Sequence, residues 1–447
     1  MSGGRYTEGG ALKLLLAGYS GMRNTGADVR VEEMIRQVRK VLGEDQLELS
    51  LLSIDPALSA GYFRGVRQVR LPNVFPKFLF DECHKHHGVI ACEGSMFKSK
   101  FANALSVMMA GALGLASVEG KLSVGYGAEA GAMEPALADF VRRRCKHSLV
   151  ICRNQPSRGV LESMGIRTRG GTDTAWTFEP APLRRGAELL RGVGWDGVQK
   201  PMIVCPINPF WWPIRPDLVK AAAHRFAGQF QSEHYRSMYF HEWGEEAASQ
   251  YSAYLDGLAE ATAAFAQERG VFVVIVGTEL LDRQACEALA ARLPTPTPVL
   301  VSDEFDMYEL VSVLRNAALM VSSRYHAIVT SMPGGVPSIG VTMDERIHNL
   351  MHDRGHADLL LRVDEDGLGE KLLQSMRRLE RNAEQVRRDV LKFVPGQIRT
   401  MGQMGMDFAD EVKRIYPSFP LPDVPRSFEH FIPSLSPELH CLMGETA

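Results

Sequence analysis

Leu12-Lys13-Leu14-Leu15-Leu16-Ala17-Gly18-Tyr19-Ser20-Gly21-Met22-Arg23-Asn24-Thr25-Gly26-Ala27-Asp28 is the stretch that decides the fold. An apolar run ends in a glycine-rich loop, and an amphipathic stretch follows to Leu42, with Asp28 placed as the helix N-cap. That is a strand, a tight turn and a helix. Working outward, the same grammar recurs. Strands are expected at 47–52, 89–92, 122–125 and 149–152, and helices at 100–117, 134–146 and 156–164. Continuous apolar strands joined by helices mean a parallel sheet covered on both faces. A second series has strands at 202–206, 271–276, 299–301, 319–322 and 338–342. Its helices are expected at 247–269, 280–292, 306–316, 326–332 and 345–354.

The expected architecture is α/β: two Rossmann-like, doubly wound parallel-sheet domains. The first covers 1–185. Residues 186–200, within a stretch rich in Pro, Gly and charge, form a linker. The second domain covers 201–365 and carries an aromatic-rich insertion at 207–245 (Phe210, Trp211, Trp212, Tyr235, Tyr239, Phe240, Trp243). A C-terminal helical extension and tail occupy 366–447, with a charged helix from about 366 to 392.

Composition sets the outer bounds. Of 447 residues, 45% are hydrophobic and 23% charged, which excludes a largely disordered chain. The net charge of −3 leaves no electrostatic footprint for nucleic acid. Seven cysteines without a C-x-x-C pair, behind a polar N-terminal stretch, fit a reducing cytoplasm. The apolar stretch Phe101–Val118 is read as a buried helix rather than a transmembrane segment. Cys83-His84-Lys85-His86-His87 and the series His348, His352, His356 have no patterned carboxylate, and Gly355 interrupts the second. No metal site is expected.

In open parallel sheets, ligands bind beyond the carboxyl ends of the strands. Four stretches meet that condition. The loop 18–26 can offer backbone N–H groups and a helix N-terminus to an anion, although a plain βα turn explains it equally. Ala91-Cys92-Glu93-Gly94-Ser95 makes a small-residue turn after a strand. Arg153, in Cys152-Arg153-Asn154-Gln155-Pro156-Ser157, can grip a phosphate or carboxylate at two points. The sharpest is Ser322-Ser323-Arg324-Tyr325-His326, where Arg324 gives fixed charge and His326 a proton near neutral pH. The next strand ends in another charged cluster, Met343-Asp344-Glu345-Arg346.

In this order the motifs resemble the polysaccharide pyruvyl transferase family, over about residues 12–360. The loop 18–28 is similar to the family's Gly-Tyr-x-Gly-x-x-Asn-x-Gly-Asp, with Ala27 inserted before the acid. Cys92-Glu93-Gly94-Ser95 resembles its glycine turn, with Glu93 standing in the glycine run. Arg153 to Ser157 resembles Arg-Asp-x-x-Ser, with Asn154 for the acid, and leads to Met164-Gly165-Ile166. Asp173-Thr174-Ala175 resembles Asp-Pro-Ala. The most specific block is Arg324-Tyr325-His326-Ala327, Gly335-Val336-Pro337 and Met343-Asp344-Glu345-Arg346, with Arg346 for the usual Lys.

The resemblance implies a GT-B-like arrangement and transfer of a pyruvyl group from phosphoenolpyruvate to a sugar of a polysaccharide or its precursor. The product is a pyruvate ketal, and the context is exopolysaccharide biosynthesis. No metal or organic cofactor is demanded. His326 is implied as the acid/base, and Arg153 and Arg324 as donor ligands. Arg346, Asn24, Gly26, Gly94 and Ser95 are secondary donor contacts. Trp211 and Trp212 form a candidate acceptor platform, since aromatic faces stack on sugars, with Asp28 on the acceptor side; a buried satellite cluster explains the tryptophans equally. The acceptor sugar, its linkage, any lipid attachment and the oligomeric state stay open. Two rival readings also stay open: a nucleotide-sugar-dependent GT-B glycosyltransferase, and a non-catalytic carbohydrate- or partner-binding member. Arg324 to Pro337 contains no Asp or Glu, which counts against retaining glycosyltransferases.

Overall fold

The computed structural model describes residues 6–7, 9–227 and 238–444. Tyr235 of the aromatic insertion lies outside them. Two parallel sheets organise the chain. The first contains β1 (Leu12–Ala17), β2 (Leu47–Ser53), β3 (Arg67–Arg70), β4 (Gly88–Ala91), β5 (Leu122–Ala128), β6 (Leu149–Cys152) and β7 (Arg167–Gly170). Its order is β3-β2-β1-β4-β5-β6-β7. The second contains β8 (Pro201–Cys205), then, beyond a small antiparallel hairpin of β9 (Ile214–Pro216) and β10 (Tyr239–His241), β11 (Phe272–Gly277), β12 (Val299–Val301), β13 (Leu319–Ser322), β14 (Ser338–Thr342) and β15 (Leu360–Arg362). Its order is β12-β11-β8-β13-β14-β15.

The central strands β4, β6, β8, β13 and β14 are buried along their whole length. That is the physical reason their sequences are apolar runs rather than alternations. The edge strands β3 and β7 read Arg-Gln-Val-Arg and Arg-Thr-Arg-Gly. Neither they nor the short β15 carries such a run, and the sequence reading omitted all three. It also omitted the helix Pro76–Lys85. The apolar 101–118 stretch is the helix Asn103–Val118, packed in the first domain's core. Among the described residues no helix is long and apolar enough to cross a membrane.

Three local expectations need correction. Asp28 is not the N-cap. The helix starts at Thr25, and Asn24 caps it by accepting a hydrogen bond from the Ala27 N–H at 3.0 Å. The linker stretch contains a helix, Leu183–Gly192, packed on the helix Met307–Arg315. There the Gly186 N–H donates to Ser312 Oγ, so a neighbour orders a segment that looks like a spacer. The charged stretch from 366 is two helices. Leu368–Arg381 packs on Glu245–Arg269 of the second domain. Ala383–Ile415 runs far past 392 and crosses back to the first domain. There Glu411 pairs with Arg167 at 2.8 Å and Gln37 donates to the Met401 carbonyl at 2.6 Å.

Candidate functional site

Strand order reverses between β1 and β4 in the first sheet and between β8 and β13 in the second. Loops leaving neighbouring strands on either side of such a point diverge and open a crevice. The loops at these two crevices are 18–24, 92–95, 206–208 and 323–325, and they face one another between the domains. Contacts beside them, to the residues that follow β11 and β12, tie the domains together. Thr25 N–H donates to the Thr278 carbonyl at 2.8 Å, and Arg23 Nε donates to the Ser302 carbonyl at 2.7 Å.

Asp173 is the hub of the buried floor. It is fully buried. Its Oδ2 hydrogen-bonds Arg153 Nη1 at 2.9 Å and His326 Nε2 at 3.2 Å and forms an ion pair with Arg30, whose Nε lies 3.2 Å away. Ala175 N–H fixes Oδ1 at 3.0 Å. Burial alone would push this carboxyl up, but Arg30, His326 and Arg153 outweigh it and hold it well below the usual carboxylate range. His326 has the mirror environment. Burial lowers it, Asp173 opposes that, and Arg153 and Arg30 push it lower again. The net direction favours the neutral ring.

Two glycines make the floor possible by close approach. A Cβ on Gly26 would collide with the His326 imidazole, and one on Gly94 would sit 2.8 Å from Arg153 Nη1. Arg153 also pairs with Glu129 and lies 4.4 Å over the ring of Tyr325. Tyr325 stands between Arg324 and His326, so it joins the two cationic regions. A second ionic chain spans the domains. Lys98, 1% exposed, reaches Glu345 Oε1 at 2.9 Å and Asp344 Oδ2 at 3.8 Å. Asp344 in turn holds Arg346 Nε at 2.7 Å.

Above this floor is a cavity of about 140 Å³. Arg324, Arg346, Asn24, Ser95, Glu93 and Glu279 form its polar lining. Arg324 is gripped by Asp282, with Nε at 2.9 Å from Oδ2, and its Nη2 lies 2.7 Å from Glu279 Oε2. Burial opposes its charge, yet Asp282 and Glu279 raise its pKa further. Apolar groups form the rest of its wall, among them Trp212, Tyr239 and Ile214 of the insertion and Phe101, Leu105 and Met108 of the first domain. Phe101 meets Trp212 edge-on at 5.3 Å and lies 4.5 Å beneath the Arg346 guanidinium. The insertion belongs to the second domain but docks on the first: Ile214 N–H donates to the Phe101 carbonyl at 2.8 Å.

A profile of the polysaccharide pyruvyl transferase family matches residues 116–345, just over half of the chain. The chain belongs to the polysaccharide pyruvyl transferase family. The matched span holds Arg153, Asp173, Arg324 and His326, and ends one residue before Arg346. None of the curated proteins matches the chain. Among solved structures, a UDP-N-acetylglucosamine 2-epimerase aligns at TM-score 0.53 and 10% identity over 90% of this chain and 97% of that one. MnaA of S. aureus, solved with UDP, aligns at 0.51 and 9% over 85% and 90%. A protein of Listeria monocytogenes described as a UDP-N-acetylglucosamine 2-epimerase aligns at 0.51 and 11% over 85% and 90%. At such identity the likeness is one of fold: two Rossmann-like domains in a GT-B-like arrangement.

The structure brings most of the expected residues of this pyruvyl transferase family member to one crevice, in unequal roles. Arg324, Arg346, Asn24, Ser95 and Trp212 line the cavity. Arg153, His326, Gly26 and Gly94 belong to the floor. Asp28 is buried, 2% exposed, and is not part of the cavity wall. Burial above all, with Glu279, Glu93 and Glu32 adding to it against Arg23, pushes its carboxyl well up. Among the described residues its Oδ1 has no hydrogen-bond partner. Trp211 is also off the wall, stacked on His241 at 4.2 Å. The helix N-terminus at 25–27 is already committed, since Thr278 and Asn24 take two of its N–H groups.

Sequence reading missed the carboxylates that hold the cations: Asp173 as a hub, Glu129, Glu279 and Asp282. It also missed Arg30 and Lys98. Arg30 lies one helical turn after Gly26, a spacing that puts both on one face. Lys98 had no signal at all.

Proposed function

We propose that this chain transfers the enolpyruvyl unit of phosphoenolpyruvate to a saccharide and closes it into a pyruvate ketal. The observation that carries the reading is the meeting of Arg153 and His326 on one Asp173 oxygen, at the floor of a cleft whose wall presents Arg324 and Arg346. Phosphoenolpyruvate carries a carboxylate and a phosphate, and fixed cations in a site shielded from water suit both. Its methylene carbon must gain a proton as a hydroxyl attacks the adjacent carbon. His326 suits that step, because donor anions nearby favour its protonated ring while Asp173 fixes its orientation. Ser95 and Arg346 suit the donor, and Trp212 and Tyr239 suit an acceptor sugar face.

All seven cysteines are free and six are buried, which supports work in a reducing compartment, the cytoplasm, on precursors of exopolysaccharide. The deciding experiment is incubation with phosphoenolpyruvate and saccharide acceptors, reading inorganic phosphate release and the ketal by NMR. UDP-sugars in parallel form the counter-test. Turnover with them and none with phosphoenolpyruvate overturns the reading in favour of a glycosyltransferase.

A further inference from the structure

We propose that Glu93 is a catalytic residue of this cleft: the base that takes the proton of the attacking acceptor hydroxyl. The proposal rests on the transfer reading above. Glu93 lies two residues beyond the end of β4, at the topological switch point, and lines the cavity with Arg324, Arg346 and the aromatic wall.

Its neighbours single it out. The other carboxylates of the cavity lining and of the floor are each committed to a cation. Asp173 holds Arg30 and Arg153, Glu129 holds Arg153, and Glu279 and Asp282 hold Arg324. Glu93 is bound differently. Its Oε1 accepts from its own turn, from Gly94 N–H at 2.8 Å and Ser95 N–H at 3.4 Å. Those are its only side-chain hydrogen bonds among the described residues, and no cation pairs with it. The turn therefore aims the carboxylate and leaves Oε2 uncommitted at the cavity.

The chemistry needs such a group. His326 sits on the floor, fixed by Asp173, and can serve the methylene carbon. A hydroxyl entering the cavity needs a proton acceptor of its own, and Glu93 lines that cavity. In the first step the acceptor oxygen bonds to C2 of the enolpyruvyl group and its proton passes to Glu93. The C2–C3 π pair takes a proton from protonated His326 at C3. Phosphate then leaves with its C–O bonding pair. The second hydroxyl bonds to C2 and returns a proton to His326, and the proton on Glu93 leaves with phosphate. Nothing is oxidised or reduced. The bland role for Glu93 is to brace its turn, and Gln at this position keeps that role, because its carbonyl accepts the same N–H groups.

The test uses the full chain, phosphoenolpyruvate and a panel of p-nitrophenyl hexosides, reading phosphate release, with calorimetric donor affinity alongside. Glu93→Gln is expected to lower kcat about a hundredfold, the scale of a lost general base, with donor affinity unchanged. Glu93→Ala is expected to recover turnover in sodium formate but not in sodium chloride, because formate can occupy the vacated carboxylate position. Near-wild-type turnover of Glu93→Gln overturns the proposal. So does a Glu93→Ala protein with wild-type melting that formate does not rescue. Wild-type chain that releases no phosphate with any hexoside overturns the transfer reading itself, and this proposal with it.

Discussion

The cleft has a floor and a wall built on opposite principles. The floor is ionic. Arg30, Lys98, Glu129 and Asp173 are at most 1% exposed, and each is paired. The wall is apolar and half-buried, made by Trp212, Tyr239 and Ile214 from an insertion and by Phe101 from the partner domain. The floor is drawn from several elements: Arg30 from the first helix, Glu129 and Arg153 from just past β5 and β6, Asp173 from past the edge strand β7, and His326 from the first turn of the helix after β13. Its charges gain from low dielectric because their partners are already in place. The wall hangs on a hairpin of two three-residue strands and on Phe101, all outside the two parallel sheets. Under the proposed transfer, the contrast suits an ionic seat for the donor and an aromatic face for the acceptor.

The sharpest way to break that comparison is Asp173→Ala. It strips one carboxylate from three buried groups at once and leaves Arg30 and Arg153 short of charge in a buried site. Breaking a buried pair from one side costs about 3–5 kcal/mol. Chemical denaturation is expected to show a loss of that order, with turnover abolished. Loss of Asp173 at little stability cost would mean that the floor is not the rigid half of the site.

Next in size is His326→Ala. Turnover is expected to fall about a hundredfold or more, while donor affinity changes far less, because Arg153, Arg324 and Arg346 remain. Steady-state kinetics beside calorimetry separates the two quantities. Equal losses in both would make His326 a binding group and remove the acid from the floor.

Much of this was legible in the sequence, and unevenly so. The βα repeat and the strand-end motifs were readable because buried parallel strands must be continuous apolar runs and because glycines mark their exits. Arg153, Arg324 and His326 stood out by position. The edge strands β3 and β7 did not, because a charged strand held by one neighbour carries no hydrophobic signal. Asp173 and Lys98 were opaque for another reason. Their importance lies in pairings across 153 and 247 residues of chain, which no local pattern encodes. Asp28 misled in the opposite direction: an acid before a helical stretch looks like a cap, but Asn24, four residues earlier, does that work.

The wall yields a smaller effect. Trp212 contributes an edge-to-face contact with Phe101 and part of the cavity lining. An aromatic contact is worth about 0.5–1.5 kcal/mol beyond its area. Trp212→Ala is therefore expected to raise acceptor KM roughly tenfold, with donor KM and melting temperature nearly unchanged. Trp211→Ala is the internal control, because Trp211 stacks on His241 outside the cavity lining. If both variants behave alike, the insertion acts as a packing cluster and the wall is no recognition surface.

The smallest expected effect concerns stability against pH, and it probes the floor through His326 alone. Burial lowers the folded-state pKa of His326 below its unfolded value, with Arg153 and Arg30 adding to burial and Asp173 opposing it. Between the folded value and the unfolded value, near 6.5, the unfolded chain binds a proton that the folded chain refuses. Unfolding then takes up protons, so stability from this group is fully present above about pH 6.5 and is lost as pH falls toward the folded value. A glutamine at 326 does not titrate. The melting temperature of His326→Gln, measured relative to wild type, should therefore rise as pH falls from about 7 to 5. Asp173 cannot mimic this slope, because its pKa is depressed and its own contribution is lost only at lower pH. Nor can the other buried histidines with lowered values, His86, His87 and His356, because they are the same in both proteins and cancel in the difference. A difference that stays flat would show that Asp173 balances burial, and one that turns the other way that Asp173 outweighs burial and that the resting ring is already protonated. The floor would then hold its proton before any donor arrives, rather than acquiring it with the donor.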